Sequence, residues 1–188
     1  MNSIQEKLYG WVYGLLPHRL VKKEEAHNYE KLLLAVHDAI VESNGDPKGQ
    51  REGCSLLLGA MNIICQFKTK QDVFFCAAFV YKELATRHYF IEGNKRTAHC
   101  MAKAHLFSEG FHLKVHYRYA EPFIKEIAEG QKKLPEIIDW LEKNSAKYQG
   151  KSREKYLKPS NVEKLRELRN LFEWYEDDFL VLVKKLCC

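Results

Sequence analysis

HYFIEGNKRTAHCMAKAHLFSEG, residues 88–110, is the stretch on which the reading of the fold turns. From Lys95 to Glu109 it holds no Gly or Pro and three Ala, with Lys, Leu and Met among the rest, and Gly110 follows. That is the pattern of a helix with a glycine stop. The residues from His88 to His99 hold two histidines, one acid, a glycine and two adjacent cations. A polar, glycine-bearing turn therefore feeds directly into a helix start.

The flanking sequence is helical in the same way. Upstream, Asp72 opens a helix in VFFCAAFVYKELATRH, and Asn28 caps another in YEKLLLAVHDAIVES. In the latter, Leu32, Val36, Ala39, Ile40 and Ser43 recur at helical spacing, and Asn44-Gly45 ends the run. GDPKGQREG, residues 45–53, is a loop. CSLLLGAMNIICQF, which follows it, reads equally as a helix or as an extended edge. Downstream, Pro122 and Pro135 each stand where a first helical turn would begin. Only HLKVHYRY, residues 112–119, favours an extended chain. The fold class expected is all-α, with a small β-hairpin flap as an option.

Composition narrows the class without deciding it. The chain has 188 residues, 46% hydrophobic and 29% charged, which suits one globular domain with appendages. The net charge of +5 is mildly basic and fits anionic partners such as nucleotides. Six cysteines form no C-x-x-C pair, and most stand in apolar company, which favours buried thiols and a reducing cytoplasm over disulfides or zinc. LYGWVYGLL, residues 8–16, is too short to cross a membrane and lacks a small-residue cleavage site, so it reads as a packing segment. Residues 1–27 are expected to form a helical extension. Residues 149–188 are expected to be a basic linker followed by an amphipathic helix. In that helix Leu165, Leu168, Phe172, Tyr175, Phe179, Leu182 and Leu186 form a heptad seam, a route to a homo-oligomer.

The turn at 88–96 carries the chemistry. A helix N-terminus offers unpaired N–H groups to an anion, and Gly93 lets a phosphate approach the backbone. Lys95 and Arg96 add charge, and Asn94 can fix the loop or donate to an oxygen. Glu92 is a hard oxygen ligand suited to magnesium on phosphates. Phe90 alternates with these polar groups as an anchor in the core. His88 has the side chain suited to take a proton from an attacking hydroxyl near neutral pH. The same residues also read as a surface turn beside a hydrogen-bonded histidine.

HYFIEGNKRTA resembles the signature of the Fic/Doc family, H-x-F-x-[DE]-[GA]-N-[GK]-R, at His88, Phe90, Glu92, Gly93, Asn94, Lys95 and Arg96. YEKLLLAVHDAIVESNGD, with His37, resembles the family's first helix, and SEGFHLKV and AEGQKKLPEIIDWLEKNS its later ones. The resemblance implies a Fic/Doc domain over residues 28–148 and a transferase that modifies a protein hydroxyl with ATP and Mg2+. His88 is then the base, Glu92 the metal ligand, and Gly93, Asn94, Lys95 and Arg96 the phosphate cradle.

Three departures bear on the branch. Lys95 stands where AMP-transferring members have glycine, His99 where they usually have a second arginine, and Tyr89 where proline is frequent. The first two favour the death-on-curing branch, which transfers the terminal phosphate; AMP transfer and an idle binding module are the alternatives. The family's inhibitory motif does not occur in the sequence. The resemblance then implies a small antitoxin partner, a target such as a translation factor, and no membrane or nucleic-acid partner. The family's target-docking flap falls by position on residues 52–59, around Ser55, Leu56 and Leu57, with core helix as the alternative.

Overall fold

The computed structural model describes residues 20–42 and 44–147. Among them are six α-helices and one two-stranded sheet, as the helical periodicities led us to expect. The helices are α1 (Lys23–Glu42), α2 (Leu56–Thr69), α3 (Val73–Thr86), α4 (Asn94–Ser108), α5 (Tyr117–Ala128) and α6 (Leu134–Asn144). The strands are β1 (Phe111–Leu113) and β2 (Ser145–Lys147). They pair antiparallel, with His112 opposite Ala146. They are not a hairpin: α5 and α6 lie between them, and the pairing ties down both ends of that helical pair.

α4 is the central element. It is buried over most of its surface and packs against α1, α3, α5 and β1. Alanines let this happen. Ala98, Ala102 and Ala104 of α4 and Ala77, Ala78 and Ala85 of α3 are fully or almost fully buried, so the two helices approach closely. Leu33 and Ile40 of α1, Leu56 and Ile63 of α2, Leu84 of α3 and Ile124 and Ile127 of α5 complete the core. Each such side chain contributes about 1.5–3 kcal/mol when fully buried. α3 begins at Asp72, whose carboxylate accepts from Phe75 N at 2.7 Å. Replacing that cap by alanine would cost about 1 kcal/mol.

Several expectations need correction. α1 starts five residues before Asn28, so Asn28 is helical and caps nothing. Lys22 N donates instead to Glu25, one turn into the helix. The proposed boundary at residue 27 thus falls inside α1. Pro122 lies inside α5, because His116 caps that helix earlier, its Nδ1 accepting from Arg118 N at 3.1 Å. The stretch 54–67 is helical from Leu56 onward, with Ser55 as N-cap and Leu56 and Leu57 buried in the first turn. Residues 56–59 of the expected docking edge are thus helical and not extended. The basic linker and heptad seam of 149–188 and most of the N-terminal extension lie outside the described residues. No described helix is long and apolar enough to cross a membrane. Of the described cysteines, Cys65, Cys76 and Cys100 are buried free thiols and Cys54 is partly buried.

Candidate functional site

The turn between α3 and α4 is built by a dense set of local bonds. The Asn94 side chain folds back on it, its Oδ1 accepting from Phe90 N at 3.0 Å and its Nδ2 donating to Phe90 O at 2.8 Å. Of the two roles open to Asn94, the amide is spent on fixing the loop. Phe90, 1% exposed, stacks face to face on His37 with ring centroids 3.8 Å apart. His37 Nε2 also lies 3.0 Å from the carbonyl oxygen of Glu92. A buried imidazole of α1 thus holds both the apolar and the polar side of the turn.

Gly93 is the N-cap of α4, with φ 76°. A Cβ there would lie 2.7 Å from Val41 Cγ1 and 3.5 Å from the His37 ring. Glycine is therefore required by conformation and by the close approach of α1. No side chain caps α4, which leaves its first-turn N–H groups facing outward.

These residues line a cleft of about 580 Å3. Its first wall is the turn itself: His88, Glu92, Gly93, Asn94, Lys95 and Arg96 all border it, with Ile91 between them. The second wall is α5, through Tyr117, Glu121 and Lys125. Arg51, from the loop before α2, stands at the rim. The volume falls in the range of roughly 300–1,000 Å3 common for small-molecule sites. Phe90 lies beneath the cleft as an anchor. Ser55, Leu56 and Leu57 do not border it.

The polar groups of the first wall differ in availability. His88 is exposed, and its ring has no hydrogen-bond or ion-pair partner among the described residues. The carboxylate of Glu92, also exposed, and the ammonium of the half-buried Lys95 likewise have no such partner among the described residues. Arg96 is instead ion-paired with Asp46 of the loop after α1. Sequence reasoning missed this pair, since nothing local links positions fifty residues apart. It also missed Arg51, although REG lies in a glycine-punctuated loop that had to pass near the turn.

His99 is not a member of the site. It is 5% exposed, its Nδ1 lies 2.6 Å from Tyr81 Oη, and burial, with Lys103 adding to it, pushes its pKa down to about 3. A neutral core imidazole stands there, with no grip on a cleft anion.

The backbone of His88 is unusual. Its φ of 49° is the one positive value at a non-glycine position among the described residues. Such a conformation costs an L-residue roughly 1–2 kcal/mol. Beyond it, Arg51 N donates to Tyr89 O at 2.9 Å and Ile91 N to Gly49 O at 3.1 Å, so Gly49–Arg51 runs antiparallel to Tyr89–Ile91. The other edge of this short extended segment is open: Lys48 and Gln50 are exposed.

An exposed histidine, a carboxylate without a partner among the described residues and an uncapped helix start with cations beside it form an arrangement suited to an anion. Residues 29–106 match the model of the Fic/DOC family. This match covers less than half of the chain and ends within α4. No curated protein and no solved structure matches the chain.

Proposed function

We propose that the protein is a death-on-curing-like kinase, which moves the terminal phosphate of ATP to a hydroxyl of a target protein. The observation that carries this reading is the single cleft bordered by His88, Glu92, Gly93, Lys95 and Arg96 at the uncapped start of α4. The triphosphate lies on the first-turn N–H groups, with Lys95 and Arg96 against its oxygens. His88 takes the proton of the attacking hydroxyl. The hydroxyl oxygen bonds to the γ-phosphorus, the bond from that phosphorus to its bridging oxygen breaks, and ADP leaves. Positioning and charge supply nearly all of the acceleration.

The exposed, unpaired carboxylate of Glu92 beside the helix start suits a hard divalent cation. Magnesium held by Glu92 would neutralise charge on the phosphates. The target's backbone docks by strand addition on the open edge of Gly49–Arg51, which replaces the edge expected at Ser55 to Leu57. An antitoxin covering the cleft and a translation factor as target belong to the same reading.

The test uses the full chain, a cell lysate and ATP labelled at the α- or the γ-phosphate, with His88→Ala as the control. γ-Label on a protein band, absent with His88→Ala, is the expected result. α-Label in its place assigns AMP transfer, and no label from either position leaves a nucleotide-binding module.

A further inference from the structure

We infer that Glu83 is a positioning residue that holds His88 through the residues on either side of it. This inference rests on the reading of His88 as the base. The left-handed backbone at His88 persists only where its surroundings over-determine it. Both flanks converge on one carboxylate. Tyr89 Oη donates to Glu83 Oε1 at 2.7 Å, and Arg87 Nε lies 3.7 Å from Oε2. Arg87 N also donates to Glu83 O at 3.2 Å. Asn62 Nδ2 reaches Oε1 at 3.5 Å from α2.

This clasp is built rather than incidental. Glu83 and Tyr89 are 7% and 6% exposed, and a buried carboxylate is costly unless bonded. Burial, with the charge of Glu83 adding to it, raises the Tyr89 phenol above its ordinary value, so the hydroxyl remains a donor at neutral pH. The phenol has a seat only because position 59 lacks a side chain: a Cβ on Gly59 would lie 2.5 Å from Tyr89 Oη. Position 89, where the resembled signature frequently has proline, is thereby fixed by a hydrogen bond instead of a ring. The imidazole of His88 stays exposed between two restrained neighbours, fixed in direction and open to a hydroxyl.

The test labels the full chain with 13C at histidine Cε1, which gives eight ring resonances, and assigns His88 by its loss in His88→Ala. Tyr89→Phe, which removes one oxygen, should move or broaden the His88 resonance and leave those of remote histidines in place. Glu83→Ala should do the same, whereas Glu83→Gln, whose amide oxygen still accepts from the phenol, should stay near native. In the labelling assay Tyr89→Phe should lower the rate at saturating ATP by about 10–10²-fold, with the half-saturating ATP concentration unchanged. A native His88 resonance in both Tyr89→Phe and Glu83→Ala overturns the inference whatever the activity. A shift of every histidine resonance together in Tyr89→Phe also overturns it, since that marks general support of the fold. Native transfer by His88→Ala defeats the base reading alone, because the resonances still report whether the clasp holds the ring.

Discussion

The guanidinium of Arg96, on the first turn of α4, is ion-paired with the carboxylate of Asp46, which leads out of α1. The cation best suited to grip a phosphate is therefore already engaged by an acid that must share or release it. Both side chains are partly exposed, so the pair is worth on the order of 0.2–1 kcal/mol. Asp46→Asn should tighten ATP binding about two- to fivefold, read by titration calorimetry at low salt. Weaker binding would mean that Asp46 serves the site by orienting Arg96.

On the proposed reading, Lys95 bears on which phosphate is transferred. Its ammonium has no partner among the described residues and attracts the most negative group, the γ-phosphate. Lys95→Gly should lower γ-label transfer at least about tenfold, the loss of one charge-stabilising contact. The absence of a second cation at His99 keeps α-label transfer low even then. Native labelling from α-labelled ATP in place of γ-labelled ATP would refute this role of Lys95.

Glu92→Ala should separate metal binding from folding. Its carboxylate supports nothing else among the described residues, and its backbone carbonyl, bonded by His37, is retained. The unfolding free energy from urea denaturation should stay within about 0.5 kcal/mol of native. The magnesium-dependent part of ATP affinity should fall. An unchanged calorimetric titration would show that another group holds the metal.

His37→Phe keeps the ring stacked on Phe90 and removes the bond to the Glu92 carbonyl. One partly buried hydrogen bond is lost, which costs about 0.5–1.5 kcal/mol. Urea denaturation should show that loss, along with weaker ATP binding as the turn loosens. Native stability would mean that the contact contributes nothing beyond packing.

Stability should rise with pH from the acid side well past neutrality. Burial lowers His99 to about 3 and His105 and His112 to about 4, from 6.5, so the unfolded chain binds their protons first and stability falls as pH drops below 6.5. Burial also lowers Lys103 to about 7 from 10.5, and the same sign applies between those values. Above pH 10 the trend reverses, because Tyr29, Tyr81 and Tyr89 are raised by burial and ionise more readily once unfolded. Urea midpoints should therefore climb from pH 5 to pH 9. Lys103→Met should flatten the part of that climb that lies above pH 7. A maximum near pH 6 would contradict these burial effects.

Much of this was legible in the sequence, and the reasons for success and failure are physical. α4 was readable because Lys95 to Glu109 combines helix formers with a glycine stop, and His88, Glu92, Lys95 and Arg96 stand within nine residues. The start of α1 was missed because Asn28 is a good cap by type, whereas an acid in the first turn at Glu25 already serves the earlier start. α2 stayed ambiguous because a short, uniformly apolar run has no period to read. Asp46, Arg51, Tyr117 and Glu83 were out of reach for another reason: they meet the turn only in three dimensions.

The position of α5 has a consequence for how this cleft could change. The residues that match the family stop at 106, yet Tyr117, Glu121 and Lys125 form the facing wall. The turn and the wall that faces it are thus written on separable pieces of the chain. Substitutions in α5, which together with α6 is anchored at its ends by β1 and β2, can redraw what the cleft admits while the turn at 88–96 keeps its sequence intact.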